Sequence, residues 1–140
     1  MEPIDVDILL DETNPADFEE LEVLVGDNVR QTMLAVLDVS VEAYSVFDSE
    51  DVLVMSFGLA PKQEEGSYGS WFVDRGGLAQ FPLSVMRVGR KIVKAWRETY
   101  GPTLPSQAIK KNKFHSRWLK SLGFNITREP HGNDRLIMFE

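Results

Sequence analysis

The chain has 140 residues, 43% hydrophobic and 26% charged, which suits one globular domain with its own core. Without cysteine it can hold no disulfide, thiol nucleophile or cysteine-based zinc site, and its two histidines, His115 and His131, lack metal-ligand spacing. The net charge of −7 is sharply divided: residues 1–70 carry 17 acidic and 2 basic side chains, residues 71–140 carry 5 and 13, so one half stands at −15 and the other at +8.

Two readings fit that division. The halves are complementary solvated faces of one molecule, or the basic half faces a phosphorylated cofactor, a nucleic acid or an acidic partner. The opening Met1-Glu2-Pro3-Ile4-Asp5 has neither a basic nor an apolar stretch, so no secretory leader is expected. No apolar run approaches the about 20 residues of a membrane span. The expectation is one domain over residues 1–140, not inserted in a membrane and located in the cytoplasm.

In chain order, Ile4, Val6 and Ile8 alternate with acids and predict a strand. Asn14-Pro15-Ala16-Asp17 opens a helix, with Asn as cap and Pro at the first helical position, and Phe18, Leu21 and Val25 form its inner face. Asp27 or Asn28 caps a second helix carrying Val29, Met33, Leu34 and Leu37. Val41 to Phe47 and Val52 to Leu59 read as strands about the turn Asp48-Ser49-Glu50-Asp51, and a further strand runs around Ser70 to Asp74. The longest helix follows: Pro82 suits its first turn, and Val85, Gly89, Ile92, Trp96 and Tyr100 fall on one side. Gly101-Pro102 ends it. Ser106 to Ile109 is a short strand, and the last strands are Phe124 to Arg128 and Arg135 to Phe139.

Between them, Asn112 to Phe124 is the most informative segment. Asn112 is a good cap, Phe114, Trp118 and Leu122 recur at every fourth place, and Gly123 suits a left-handed stop. The expectation is a short helix burying Phe114, Trp118 and Leu122.

This segment resembles the last motif of the GNAT N-acetyltransferase superfamily, where Asn, an aromatic and Gly-Phe stand at these spacings. Element order along the chain is similar as well: strand, two helices, three strands, long helix, strand, helix, two strands. The resemblance implies an α/β (α+β) GNAT-like fold, a mixed and mostly antiparallel sheet flanked by helices. Within the superfamily the chain is nearest to the GNAT-like internal virion proteins A of T7-like tailed phages, through Trp71-Phe72-Val73, Gly89-Arg90-Lys91, Asn112, His115, Arg117, Leu119, Lys120 and Gly123.

The superfamily implies acetyl-CoA as cofactor, its pyrophosphate seated on the loop that opens the long helix. The pattern there is Gln or Arg, then Gly at the fourth place and Gly or Ala at the sixth. From Arg75 those places are Leu78 and Gln80, from Gln80 they are Leu83 and Val85, and from Arg87 they are Arg90 and Ile92, so every register departs from it. Gly76-Gly77 can still present N–H groups as a nest, and Asn112 is a further cofactor-binding candidate, though adjacent glycines more often make a turn. Where the superfamily often has a Tyr that protonates the leaving thiolate, this chain has Leu119. His115, one turn earlier, and Glu42 are the remaining catalytic candidates, weighed against a packed histidine and one acid among many.

Gly-x-Ser-x-Gly and Gly-x4-Gly-Lys patterns are absent, and no metal site is expected. Lys110, Lys111, Lys113, Arg117 and Lys120 beside Phe114 and Trp118 could face nucleic acid, but the aromatics fit a core stripe, so a protein partner from host or virion is preferred, docking on Arg87, Arg90, Lys91, Lys94 and Arg97. The leading expectation is therefore a phage assembly protein with a degenerate acetyl-CoA site, in the host cytoplasm or with the virion. The alternative is a working acetyl-CoA-dependent N-acetyltransferase acting on a host or phage amine.

Overall fold

The computed structural model describes residues 28–64, 66–109, 112–128 and 136–140; the strand expected at 4–8 and the helix expected from Asn14 lie outside them. Helix α1 (Val29–Val39) begins where a cap was expected, although the Asn28 side chain makes no capping bond, and it buries Val29 and Met33. Strands β1 (Glu42–Phe47) and β2 (Leu53–Pro61) pair antiparallel. Their turn is closed by Asp48, whose Oδ1 accepts from the N–H groups of Glu50 at 2.8 Å and Val52 at 3.0 Å. A register shift at Val46/Phe47 leaves Met55, Phe57 and Leu59 in the main core while Leu53 joins Val29, Met33 and Val73 in a smaller one.

Strand β2 lies between β1 and β3 (Tyr68–Asp74), covered on both faces, which is why it reads as an almost unbroken apolar run. Helix α2 (Gly77–Gln80) is a single turn before α3 (Pro82–Tyr100). Pro82 takes the first position of α3, and Val85, Gly89, Val93 and Trp96 face inward; Ile92, expected on that face, packs at its margin. Gly101, at φ +117°, ends the helix. Strand β4 (Ser106–Ile109), helix α4 (Lys113–Ser121) and strands β5 (Ile126–Arg128) and β6 (Leu136–Phe139) complete the described chain. The second sheet has the order β4-β6-β5, and all ladders of both sheets among the described residues are antiparallel.

Helix α4 is capped as expected: Asn112 Oδ1 accepts from the His115 N–H at 3.2 Å, and Gly123 at φ +94° takes the chain out. Its buried face is different. His115, Trp118, Leu119 and Leu122 point inward, and Phe114 is 54% exposed. Steps of four residues advance about 40° around a helix, so a stripe of such steps drifts. The helix settles with Leu119, fully buried, at the centre of its inner face, and Phe114 is carried past the edge. Contact with α3 is close because Gly89 lacks a side chain: a Cβ there would lie 2.8 Å from Leu122 Cδ2 and 3.2 Å from Trp118 Cζ2. Beneath both helices, Phe57 meets Phe72, Trp96 and Trp118 with ring centroids 6.0 Å apart.

Candidate active site

Strands β3 and β4 belong to different sheets, and among the described residues one backbone hydrogen bond links them, from Ser70 N–H of β3 to the O of Pro105, just before β4, at 3.1 Å. The gap between them, with α1 above it, forms a cleft of about 260 Å³. Met33 and Val36 of α1, Lys62, Trp71 and Phe72, Ser106 and Gln107, and His115 of α4 all line it. Trp71 is held in place as a wall: its indole N–H donates to Ser40 Oγ at 3.1 Å, and that hydroxyl donates to Val36 O at 2.6 Å. His115, 3% exposed, sets its ring edge-on to Phe72 with centroids 5.4 Å apart. The hydroxyls of Ser70 and Ser106, both on the cleft, are buried without a hydrogen-bond partner among the described residues. Buried hydroxyls are seldom left so unless something else satisfies them.

At the end of β3 the sequence reading missed Asp74. Its carboxylate is buried, and Oδ1 accepts from the Leu78 N–H at 3.2 Å, with the N–H groups of Gly77 and Gly76 turned to the same group. Burial pushes its pKa up; those three donors and the charge of His115 pull it part of the way back. The nest expected at Gly76-Gly77 therefore forms, with Gly76 at φ +107°, but the anion it faces is the protein's own. An Asp closing a β run directly before Arg-Gly-Gly was the signal, since its side chain reaches the N–H groups of the turn that follows.

The other expected residues are scattered. Glu42 stands on β1, outside the cleft lining, where the Tyr44 hydroxyl donates to it at 2.5 Å. Burial is the largest single influence on Glu42 and opposes its charge. Hydrogen bonding from Tyr44 and Tyr100, with the Trp96 indole nearby though out of hydrogen-bond geometry, outweighs it and leaves the carboxyl below its ordinary range. The same bond, then burial, pushes Tyr44 up to about 12. On α3, two of the five cations are engaged within the fold: Arg90 Nε donates to Ser121 O at 2.7 Å, and Arg97 donates to Pro102 O at 2.6 Å while lying 5.0 Å over the Phe124 ring. Arg87, Lys91 and Lys94 remain as an exposed stripe. Leu119 is core, and no cluster of metal-ligating side chains occurs among the described residues.

No protein-family model matches the chain, and no curated protein matches it in sequence. Solved structures do match in shape. An N-acetyltransferase from Staphylococcus aureus Mu50 superposes with TM-score 0.67 at 11% identity, over 99% of this chain and 93% of that one. A GNAT-family acetyltransferase from Bacillus anthracis gives 0.64 at 14%, over 99% and 88%. A Bacillus subtilis acetyltransferase in complex with CoA gives 0.60 at 11%, over 91% of each chain.

The fold is that of the GNAT acetyltransferases. At these identities the likeness is one of architecture; where the resemblance implied a glycine-rich loop and a Tyr, this chain has the Asp74-filled turn and buried Leu119. No helix among the described residues is long and apolar enough to cross a membrane.

Proposed function

We propose that the chain is an acetyl-CoA-dependent N-acetyltransferase working in the cleft between β3 and β4, with weak hold on its cofactor. The parted strands carry this reading, because they leave a cleft lined by Ser70, Ser106 and Gln107 in which an extended, amide-bearing arm has room to lie. The residues fit the two ends of acetyl-CoA unequally. The gap suits the arm, whereas the turn at Gly76 to Leu78 gives its N–H groups to Asp74, so phosphates must rely on side-chain cations and salt should weaken their hold.

Bound acetyl-CoA would supply an activated acyl carbon. For transfer, the acceptor amine must lose a proton and the departing thiolate gain one, and an imidazole suits that exchange near neutrality. His115 lines the cleft, with its ring set edge-on to Phe72, close enough for its charge to act on the Asp74 carboxyl. A second reading, a protein of this fold that does not transfer acetyl groups, is favoured by Leu119 at the acid position and by the self-occupied turn.

Calorimetric titration with acetyl-CoA at low and moderate salt, followed by acetyl transfer to simple amines, separates the two. The enzyme reading expects salt-sensitive binding, turnover, and loss of turnover in a folded His115→Gln protein. Absence of binding at low salt refutes it and leaves the non-catalytic reading.

A further inference from the structure

The cleft has a chemical bias of its own. Toward α1 it is walled by Met33 and Val36 and by the Trp71 ring, and no Asp or Glu lines it among the described residues. Lys62 is there instead. Its stem lies across Gly69, where a Cβ would meet Lys62 Cε at 3.1 Å, so the missing side chain at 69 lets the lysine settle along the rim. The lysine is fixed from the backbone as well, through its N–H donating to Ser67 O at 2.8 Å. Among the described residues a cationic substrate such as a polyamine would find an apolar wall, a lysine and no carboxylate. An amine that carries its own carboxylate and an apolar group would find each of its parts matched.

On the reading of the cleft as an acetyltransferase site, we propose that the acceptor is a small amine bearing both a carboxylate and an apolar side chain, of the kind of a hydrophobic α-amino acid. Lys62 takes the carboxylate, Met33, Val36 and Trp71 take the side chain, and the amine points toward His115. In the transfer the amine nitrogen bonds to the acyl carbon, the carbon–sulfur bond breaks, the amine proton leaves by way of the imidazole and the sulfur ends as a thiol. A cleft of about 260 Å³ is on the scale of a small molecule.

The experiment compares L-leucine, L-leucine amide and spermidine on the full chain, first as ligands by calorimetry with and without acetyl-CoA, then as acceptors. Leucine should bind better than its amide by about fivefold, the factor one partly screened ion pair supplies. Spermidine should bind more weakly than either. Lys62→Ala should abolish the preference for leucine over its amide while leaving the amide unchanged, and Lys62→Arg should keep it. A preference for leucine in a protein that shows no acetyl-CoA binding refutes the enzyme reading and retains the carboxylate site. Equal binding of leucine and its amide, better binding of spermidine, or a preference that survives Lys62→Ala overturns the inference.

Discussion

Gly58 is the position where one added methyl should do most harm. It sits in the middle of β2 opposite Trp71 of β3 and Ala43 of β1. A Cβ there would lie 2.5 Å from Trp71 Cζ2 and 2.7 Å from the Glu42 carbonyl oxygen. The first neighbour is a large ring whose N–H, on the same edge, is tied to Ser40, and the second is ladder backbone, so neither can retreat cheaply. Overpacking of this kind costs about 1–3 kcal/mol, and the greater backbone freedom lost by glycine returns only about 0.5–1 kcal/mol. Gly58→Ala should therefore lose about 1 kcal/mol, or roughly 3–5 °C in melting temperature for a chain of this length. Urea unfolding gives the energy, and near-ultraviolet circular dichroism reports the displaced indole. A smaller ring should relieve part of the strain, so Gly58→Ala with Trp71→Phe should cost less than the sum of the two single changes. A Gly58→Ala protein as stable as the parent, or strict additivity with Trp71→Phe, would refute the close approach of ring and strand.

On α4, Trp118→Ala should cost about 3–5 kcal/mol while Phe114→Ala stays within about 0.5 kcal/mol; comparable losses by urea unfolding would restore the stripe the sequence suggested. Alkaline absorbance titration should show one tyrosine ionising only near 12, Tyr44, returning toward the ordinary value of about 10 in Glu42→Gln. The bond behind that shift adds stability below the ordinary tyrosine range and loses it as pH rises toward 12, so Tyr44→Phe should be less stable below that range and show a flatter decline above it. Asp74, raised by burial, has the opposite sign to an ion-paired carboxylate: it favours the fold when protonated, and stability declines as pH climbs from the ordinary carboxylate range through its raised one. Asp74→Asn should remove that decline, and parallel stability–pH curves for the two proteins would argue against burial as the cause.

Local chemistry was readable where one element decides the outcome. The Asp48 turn, Pro82, Gly101, Asn112 and Gly123 each do what their side chains or φ angles dictate, and β4 matches its expected bounds. Phase was harder than period: the α4 pattern gave a helix, but only packing against α3 at Gly89 decides that His115 and Leu119 face inward in place of Phe114. The cleft was not legible at all, because Lys62, Trp71, Ser106 and His115 are distant in sequence and meet only through the parting of two strands. The basic helix was half legible. Its charges were visible, but Arg90 and Arg97 are committed to carbonyl oxygens, which no charge count can show.

That parting of β3 and β4 has a mechanical side. Spreading a continuous sheet would break a row of backbone bonds together, whereas here the two sheets meet at the single Ser70–Pro105 bond among the described residues and are otherwise held by side-chain packing against α3 and α4. The molecule is thus stiff within each sheet and compliant between them, a seam along which it can yield. Work done in admitting a guest falls on dispersion contacts, which stretch gradually, instead of on ladder bonds, which fail abruptly.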